Sequence, residues 1–237
     1  MAVSNSTDFA QTAQEIIQDA LTELGVGADE EPLEAMDLQR GIRALNRMLK
    51  AWQTDGVMIW TYAEGELTTV LDQPGYEFGA GGDFETVPFE IIDLRINRGG
   101  NDLPMHRLSR EEYYALPNKT NRGYPTQFYY DRQRDSGMLY LWPAPDTQLG
   151  TLKFTYRRAI MDIDSGANDF DVPPEWMEAL VFGLAKRLVG AYAKAGSADE
   201  ARVEREAERA YMTVKGFDIG EGVGSVKVTP DRSREWR

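Results

Sequence analysis

The chain has 237 residues, 42% hydrophobic and 27% charged, enough to bury a real core in one large domain or two small ones. With 39 acids against 26 bases the net charge is −13, which argues against sequence-reading contact with nucleic acid, whose phosphates call for a basic face. Cysteine is absent and His106 is the single histidine, so disulfides, thiolate chemistry, sulfur-based zinc sites and two-histidine metal sites are excluded, and a reducing cytosol fits.

The opening MAVSNSTDFAQ has no basic stretch followed by an apolar run, so no secretory signal is expected. No apolar stretch approaches the roughly 18 residues of a membrane span. Phe9, Ala13, Ile16, Ile17, Ala20, Leu21 and Leu24 then fall at helical spacing and predict a first helix, capped by Ser6, Thr7 or Asp8 and stopped at Gly25. Past an acidic link, GADEEP, Pro32 and Glu30, Glu31 and Glu34 suit a second helix start. Its stripe is Leu38, Ile42, Leu45, Leu49 and Trp52 with Met48 beside it, and Asp55-Gly56 ends it. An antiparallel helical hairpin over 1–56 is expected.

From Val57 the period alternates. Segments 57–71, 76–79, 86–96, 103–108, 126–132, 138–142 and 151–158 read as strands between turn signals such as Arg98-Gly99-Gly100-Asn101-Asp102. Within them SREEYYALPN (109–118) predicts a short helix, with Ser109 and Glu112 as a capping box. A small antiparallel β domain is expected over 57–160. In the hairpin of GYPTQFYYD and MLYLWPAPD, alternation sends Phe128 and Tyr130 to one face and Tyr129 to the other. Leu139 and Leu141 likewise oppose Tyr140 and Trp142, and Pro143 and Pro145 end the pairing.

The helical period returns over 161–216. Trp176, Leu180, Leu184, Leu188 and Ala191 share a face, and Ala179, Gly183 and Gly190 offer places for close backbone approach. Ser197 and Glu200 form a capping box for a last helix with stripe Val203, Ala207, Ala210, Tyr211 and Val214. The remaining stretch, 217–237, is glycine-rich and polar and reads as an extended tail. The fold class is therefore α+β: a helical bundle made by both ends of the chain, an inserted small antiparallel β domain and an extended tail.

No motif carries catalysis. The loop DIDSGANDFD (162–171) has oxygen donors but places Gly166 and Pro173 where an EF-hand needs ligands, so it reads as an acidic loop capping the following helix. The glycine clusters at 79–82 and 220–224 lack a phosphate-loop ending, and no nucleophile elbow is present. Glu64, Glu66, Asp83 and Glu85 are the acids from which a glycosidase-like pair could be drawn, although nothing singles them out. Arg95, Arg98, Arg107 and Arg110 surround the Gly99-Gly100 turn. They are candidates for docking on an acidic neighbouring subunit, or are edge charges that deter strand pairing. Tyr129, Tyr140 and Trp142 join them as candidate subunit-interface residues. No cofactor or metal is expected.

The segments TAQEIIQDALTELGV, LNRMLKAWQTDG, YPTQFYYDRQ with GMLYLWPAPD, and VPPEWMEALVFGLAKRL, in this order over nearly the full chain, resemble the head-to-tail adaptors of tailed bacteriophages. The resemblance is closest to the tail accessory factor, or packaged-DNA stabilisation protein, of short-tailed phages. It implies a structural, non-enzymatic virion protein, assembled in the host cytoplasm, that binds beneath the portal as a ring of twelve copies. Such a ring extends the DNA channel, retains the genome without sequence-specific DNA binding, and receives the next tail component (needle, nozzle or tube). The C-terminal tail would reach the portal, through Phe217, Ile219, Val226, Lys227, Val228, Trp236 and Arg237. The short Val-Lys-Val run is suited to adding a strand to a partner sheet, and Trp236 to filling a pocket. A heterologous ring needs two unlike, complementary faces. A carboxylate-dependent cell-wall hydrolase and another neck or stopper protein are the alternatives.

Overall fold

A computed structural model describes residues 9–26, 33–55, 59–146, 150–192 and 198–222. In chain order the elements are α1 (Ala13–Glu23), α2 (Ala35–Thr54), β1 (Tyr62–Thr68), β2 (Gly75–Phe78), β3 (Glu90–Arg98), β4 (Asn101–Pro104) and β5 (His106–Arg107). There follow α3 (Arg110–Ala115), β6 (Arg122–Gly123), β7 (Gln127–Arg132), β8 (Gly137–Trp142), β9 (Ala144–Pro145), β10 (Thr151–Arg157), α4 (Met177–Tyr192) and α5 (Ala198–Gly222). Helices stand at both ends and a largely antiparallel β region is inserted between them, the α+β arrangement expected. Two compact units result: residues 1–60 with 160–237, and residues 61–159.

The helical unit has one core drawn from both ends of the chain: Ile16, Ile17 and Leu21 of α1, Leu45 and Met48 of α2, Leu180 and Leu184 of α4, and Val203 and Val214 of α5. Trp176, 2% exposed, is its largest side chain, and Trp52 and Trp60 meet it at ring separations of 5.6 and 5.0 Å. Gly183 lets α2 come close, because a Cβ there would lie 2.9 Å from Met48 Sδ and Trp52 Cζ2. Gly190 serves no such purpose, having open space around it, and Ala191 is exposed, so the buried face of α4 ends at Leu188.

Two caps differ from expectation. The first helix starts later, at a capping box in which Thr12 Oγ1 accepts from Glu15 N and the Glu15 carboxylate accepts from Thr12 N. Residues 6–8 lie outside the described residues, and Phe9 is 63% exposed rather than part of the stripe. A Thr-x-x-Glu box satisfies two orphan N–H groups reciprocally and outweighs one more apolar residue upstream. The acidic loop, in turn, serves this first helix rather than the one that follows it. Ala13 and Gln14 donate to the Asn168 and Gly166 carbonyls at 3.1 and 2.9 Å, while Pro173, before the turn leading to α4, makes no side-chain cap. The loop is pinned by Asn46, whose amide donates to Ile163 O (2.8 Å) and accepts from Ile163 N (2.9 Å), and by Lys50, which pairs with Asp162 at 2.7 Å. Ser197, expected to cap the last helix, lies outside the described residues.

That last helix, α5, continues to Gly222, so Phe217 and Ile219 belong to a helix and not to an extended tail. Glycine in a helix interior costs only about 1 kcal/mol, which a long helix tolerates. The rest of the expected tail, from Val223 on, lies outside the described residues.

In the β unit two four-stranded sheets, ordered β1-β10-β3-β4 and β2-β8-β7-β5, share a core. Leu94, Leu152 and Phe154 come from the first sheet, and Tyr76, Phe78, Phe128, Leu139 and Leu141 from the second. Gly65, opposite Phe154 in the β1–β10 register, makes room for that ring, since a Cβ there would lie 2.5 Å from Phe154 Cζ. The β3–β4 turn is built on Gly99 and Gly100, with φ of +58° and +87°, the left-handed pair a two-residue hairpin requires. Pro143 ends the β8 ladder, but Ala144-Pro145 do not end pairing: they form the parallel ladder of β9 with β6. Proline keeps its carbonyl acceptor, and that of Pro145 receives Asp72 N at 2.9 Å.

Candidate functional site

Strands β7 and β8 alternate as the sequence demands. Phe128, Leu139 and Leu141 point into the shared core with Tyr130 beside them, and Tyr129 and Tyr140 project from the other face. They are paired in register, with rings 6.0 Å apart and 6° from parallel. Helix α3 lies over this face. Its start is held by the Ser109–Glu112 capping box, and it lays Tyr113 on Tyr129 (5.3 Å, 24°) and on Tyr140 (5.0 Å, 28°). Leu108 and Leu116 fill the edges of this satellite core.

Cations ring the stack. Lys119 Nζ stands 5.6 Å from both the Tyr113 and Tyr114 rings, and the Arg110 guanidinium 5.7 Å from Tyr114, which is 53% exposed. Tyr129 donates to Asp131 Oδ1 at 3.3 Å, and Arg110 reaches the same carboxylate at 3.9 Å. Burial pushes the Tyr113, Tyr129 and Tyr140 phenols up, and the charge of Asp131 adds to the effect on Tyr129. All three are neutral donors at physiological pH. Beside the stack an open cavity of about 440 Å³ is lined by Arg107, Ser109, Arg110, Glu112, Tyr129 and Tyr130.

Of the interface residues expected from sequence, Arg107, Arg110, Tyr129 and Tyr140 meet here. Trp142 follows on the same strand, its indole donating to Asn118 O at 2.9 Å, and Arg107 pairs with Glu90 at 2.8 Å. Arg95 and Arg98 belong to the other sheet. Arg95 reaches Asp93 at 3.3 Å, and Arg98 stacks over Tyr124 at 5.0 Å. Their grouping by sequence proximity fails because β3 and β4 pair in one sheet while β5 crosses to pair with β7 in the other. Tyr113, Tyr114 and Lys119, which complete the face, went unassigned, although a tyrosine pair inside a well-capped short helix was the available signal.

The acids considered for hydrolysis are dispersed in role. Glu64 and Glu66 lie exposed on β1, and Asp83 holds a turn by accepting from Glu77 N at 2.8 Å. Among the described residues no group of three or more His, Cys, Asp or Glu could hold a metal ion, and no helix is long and apolar enough to cross a membrane. The tail residues Val226, Lys227, Val228, Trp236 and Arg237 lie outside the described residues.

The stack itself is a packed core, with Tyr113 and Tyr129 only 6% and 7% exposed, and it offers solvent the ring of Tyr114 with Arg110 and Lys119 against it. The model of the SU10 adaptor protein family matches residues 11–226. The chain belongs to the SU10 adaptor family. No curated protein matches it. As a phage adaptor it is a structural component of the virion that associates with other head or tail parts.

Proposed function

We propose that this SU10 adaptor joins head to tail, assembling in the host cytoplasm as a ring of twelve copies beneath the portal. In that position it prolongs the DNA channel, helps retain the packaged genome and receives the next tail component, whether needle, nozzle or tube. The observation that carries the reading is the family match across residues 11–226, which spans both the helical and the β unit. The net charge of −13 supports a channel wall past which duplex DNA slides rather than sticks. The exposed Tyr114 ring, with Arg110 and Lys119 against it and the Tyr113–Tyr129 stack holding it from beneath, supports a surface for a neighbouring subunit or tail part.

The segment after α5, with Val226, Lys227, Val228, Trp236 and Arg237, is the part we assign to the portal, and Phe217 and Ile219 lead into it along the helix. The test is cryo-EM of the full chain and of a truncation ending at Gly222, each mixed with the phage's portal protein. The full chain should form rings on the portal. The truncation should keep its circular dichroism spectrum and lose docking. Equal docking removes the role of the tail, and a full chain that neither forms rings nor binds the portal removes the reading altogether. Clearing of cell walls that disappears on changing Glu64, Glu66, Asp83 or Glu85 to Gln would put a hydrolase in its place.

A further inference from the structure

Helix α5 rests on the helical unit through a narrow stripe of Val203, Ala207, Ala210 and Val214. At about 100° per residue, Glu208, Tyr211 and Met212 fall to one side of that stripe and Glu206, Arg209 and Thr213 to the other. Each side walls a groove. The first, about 530 Å³, is completed by Met48 and Trp52 of α2 and by Gly183, Lys186 and Arg187 of α4. The second, about 310 Å³, is completed by Glu175, Glu178 and Ala179.

The two grooves differ in charge. In a chain where acids outnumber bases 39 to 26, the first groove is cationic. Neither Arg187 nor Arg47 forms an ion pair among the described residues, and burial first, then the like charge of Arg47, disfavours the charged form of Arg187. Lys186 meets Glu204 only at 3.8 Å, and Glu208 is the one acid in the lining. The floor is apolar: Trp52 stacks on Tyr211 at 5.1 Å, and Met212 at the lip is 57% exposed. The second groove reverses this pattern. Glu175, Glu178 and Glu206 face a single cation, Arg209, which reaches Glu206 at 3.8 Å.

We propose that these flanks are the two halves of one head-to-tail contact, the Lys186–Arg187 groove of one copy receiving the Glu175–Glu178–Glu206 flank of the next. The proposal rests on the ring reading above and names the surfaces that close the ring. A cyclic assembly repeats one heterologous contact, so each copy must carry both halves on different sides. Complementary charge sets the register of such a contact, while like charges brought together weaken it strongly. An apolar floor within a charged rim suits a protein surface better than a phosphate backbone.

Two full-chain variants test it: Arg47→Glu with Arg187→Glu, and Glu178→Lys with Glu206→Lys. These side chains are exposed or half-buried, so circular dichroism should be unchanged. In sedimentation at concentrations where the wild type assembles, or on the portal protein, each variant alone should associate at least about tenfold more weakly. A one-to-one mixture should recover assembly, because both the unaltered and the reversed flanks then meet opposite charge. Wild-type assembly by either variant, or no recovery in the mixture, overturns the contact while leaving the ring. Unchanged assembly with loss of duplex DNA binding in the arginine variant assigns the groove to phosphates and also overturns it. A wild type that never assembles removes the ring reading and this contact together.

Discussion

Gly41 lies in the middle of α2, where helix propensity alone predicts that Gly41→Ala stabilises by about 1 kcal/mol. The packing predicts the opposite sign. A Cβ at position 41 would lie 2.7 Å from both Cγ1 and Cγ2 of Ile17 and 2.8 Å from its Cδ1, and Ile17 is fully buried. A β-branched side chain on a helix has one strongly preferred rotamer, so it cannot swing aside. Overpacking of this kind costs about 1–3 kcal/mol, which offsets the propensity gain and leaves a net loss of about 1 kcal/mol. The melting temperature should fall by about 2–4 °C. Ile17→Ala alone removes all three contacting atoms and costs about 2–5 kcal/mol. In that background Gly41→Ala should turn stabilising, by about 1 kcal/mol, because the new methyl enters the void. Urea unfolding followed by tryptophan fluorescence measures the cycle, since Trp52, Trp60 and Trp176 cluster in this unit. A Gly41→Ala protein more stable than wild type, or the same sign in both backgrounds, would falsify the close α1–α2 approach.

Two further outcomes follow from local chemistry. Thr12→Ala should cost about 1 kcal/mol at pH 7 by opening the α1 capping box. Hydrogen bonds from the Thr12 N–H and hydroxyl hold the Glu15 carboxyl below its ordinary value, so the stability this carboxylate adds is present above about pH 4.5 and is lost as pH falls. Glu15→Gln, which cannot ionise, should therefore flatten the acid limb of a plot of urea midpoint against pH, and an unchanged acid limb would show that the box does not form. Burial pushes the Tyr130 phenol, which donates to Pro88 O at 3.0 Å, up to about 12. Its contribution to stability should persist below about pH 10 and disappear as pH rises towards 12. An ultraviolet titration should show a tyrosine step near pH 12 that is missing in Tyr130→Phe, and an identical titration of the two proteins would refute it.

Local periodicity and capping determined most of the elements. The stripe from Ile16 to Leu24 and the alternation of Phe128, Tyr129 and Tyr130 were readable because side-chain direction follows from backbone period alone. The Ser109–Glu112 box and the Gly99-Gly100 turn were equally readable, because their hydrogen bonds and φ angles are satisfied within a few residues. What tertiary structure decided concerns groups whose partners lie far away in sequence. The acidic loop at 162–171 caps α1 because unsatisfied N–H groups accept whichever carbonyl the fold delivers, and no local pattern names the recipient. Gly183 makes a close contact and Gly190 does not, although both occupy the same helix. Of the four arginines near Gly99, Arg95 and Arg98 lie in one sheet, Arg107 in the other and Arg110 on α3, because β4 and β5, one residue apart, pair with different strands. The opposed grooves beside α5 could not be seen in the sequence at all, since each takes one wall from α5 and its others from earlier segments: α2 and α4 for the cationic groove, the start of α4 and the turn before it for the acidic one. Composition and period thus specify which surfaces a segment has, and only the packed chain specifies which of them remain free to meet another molecule.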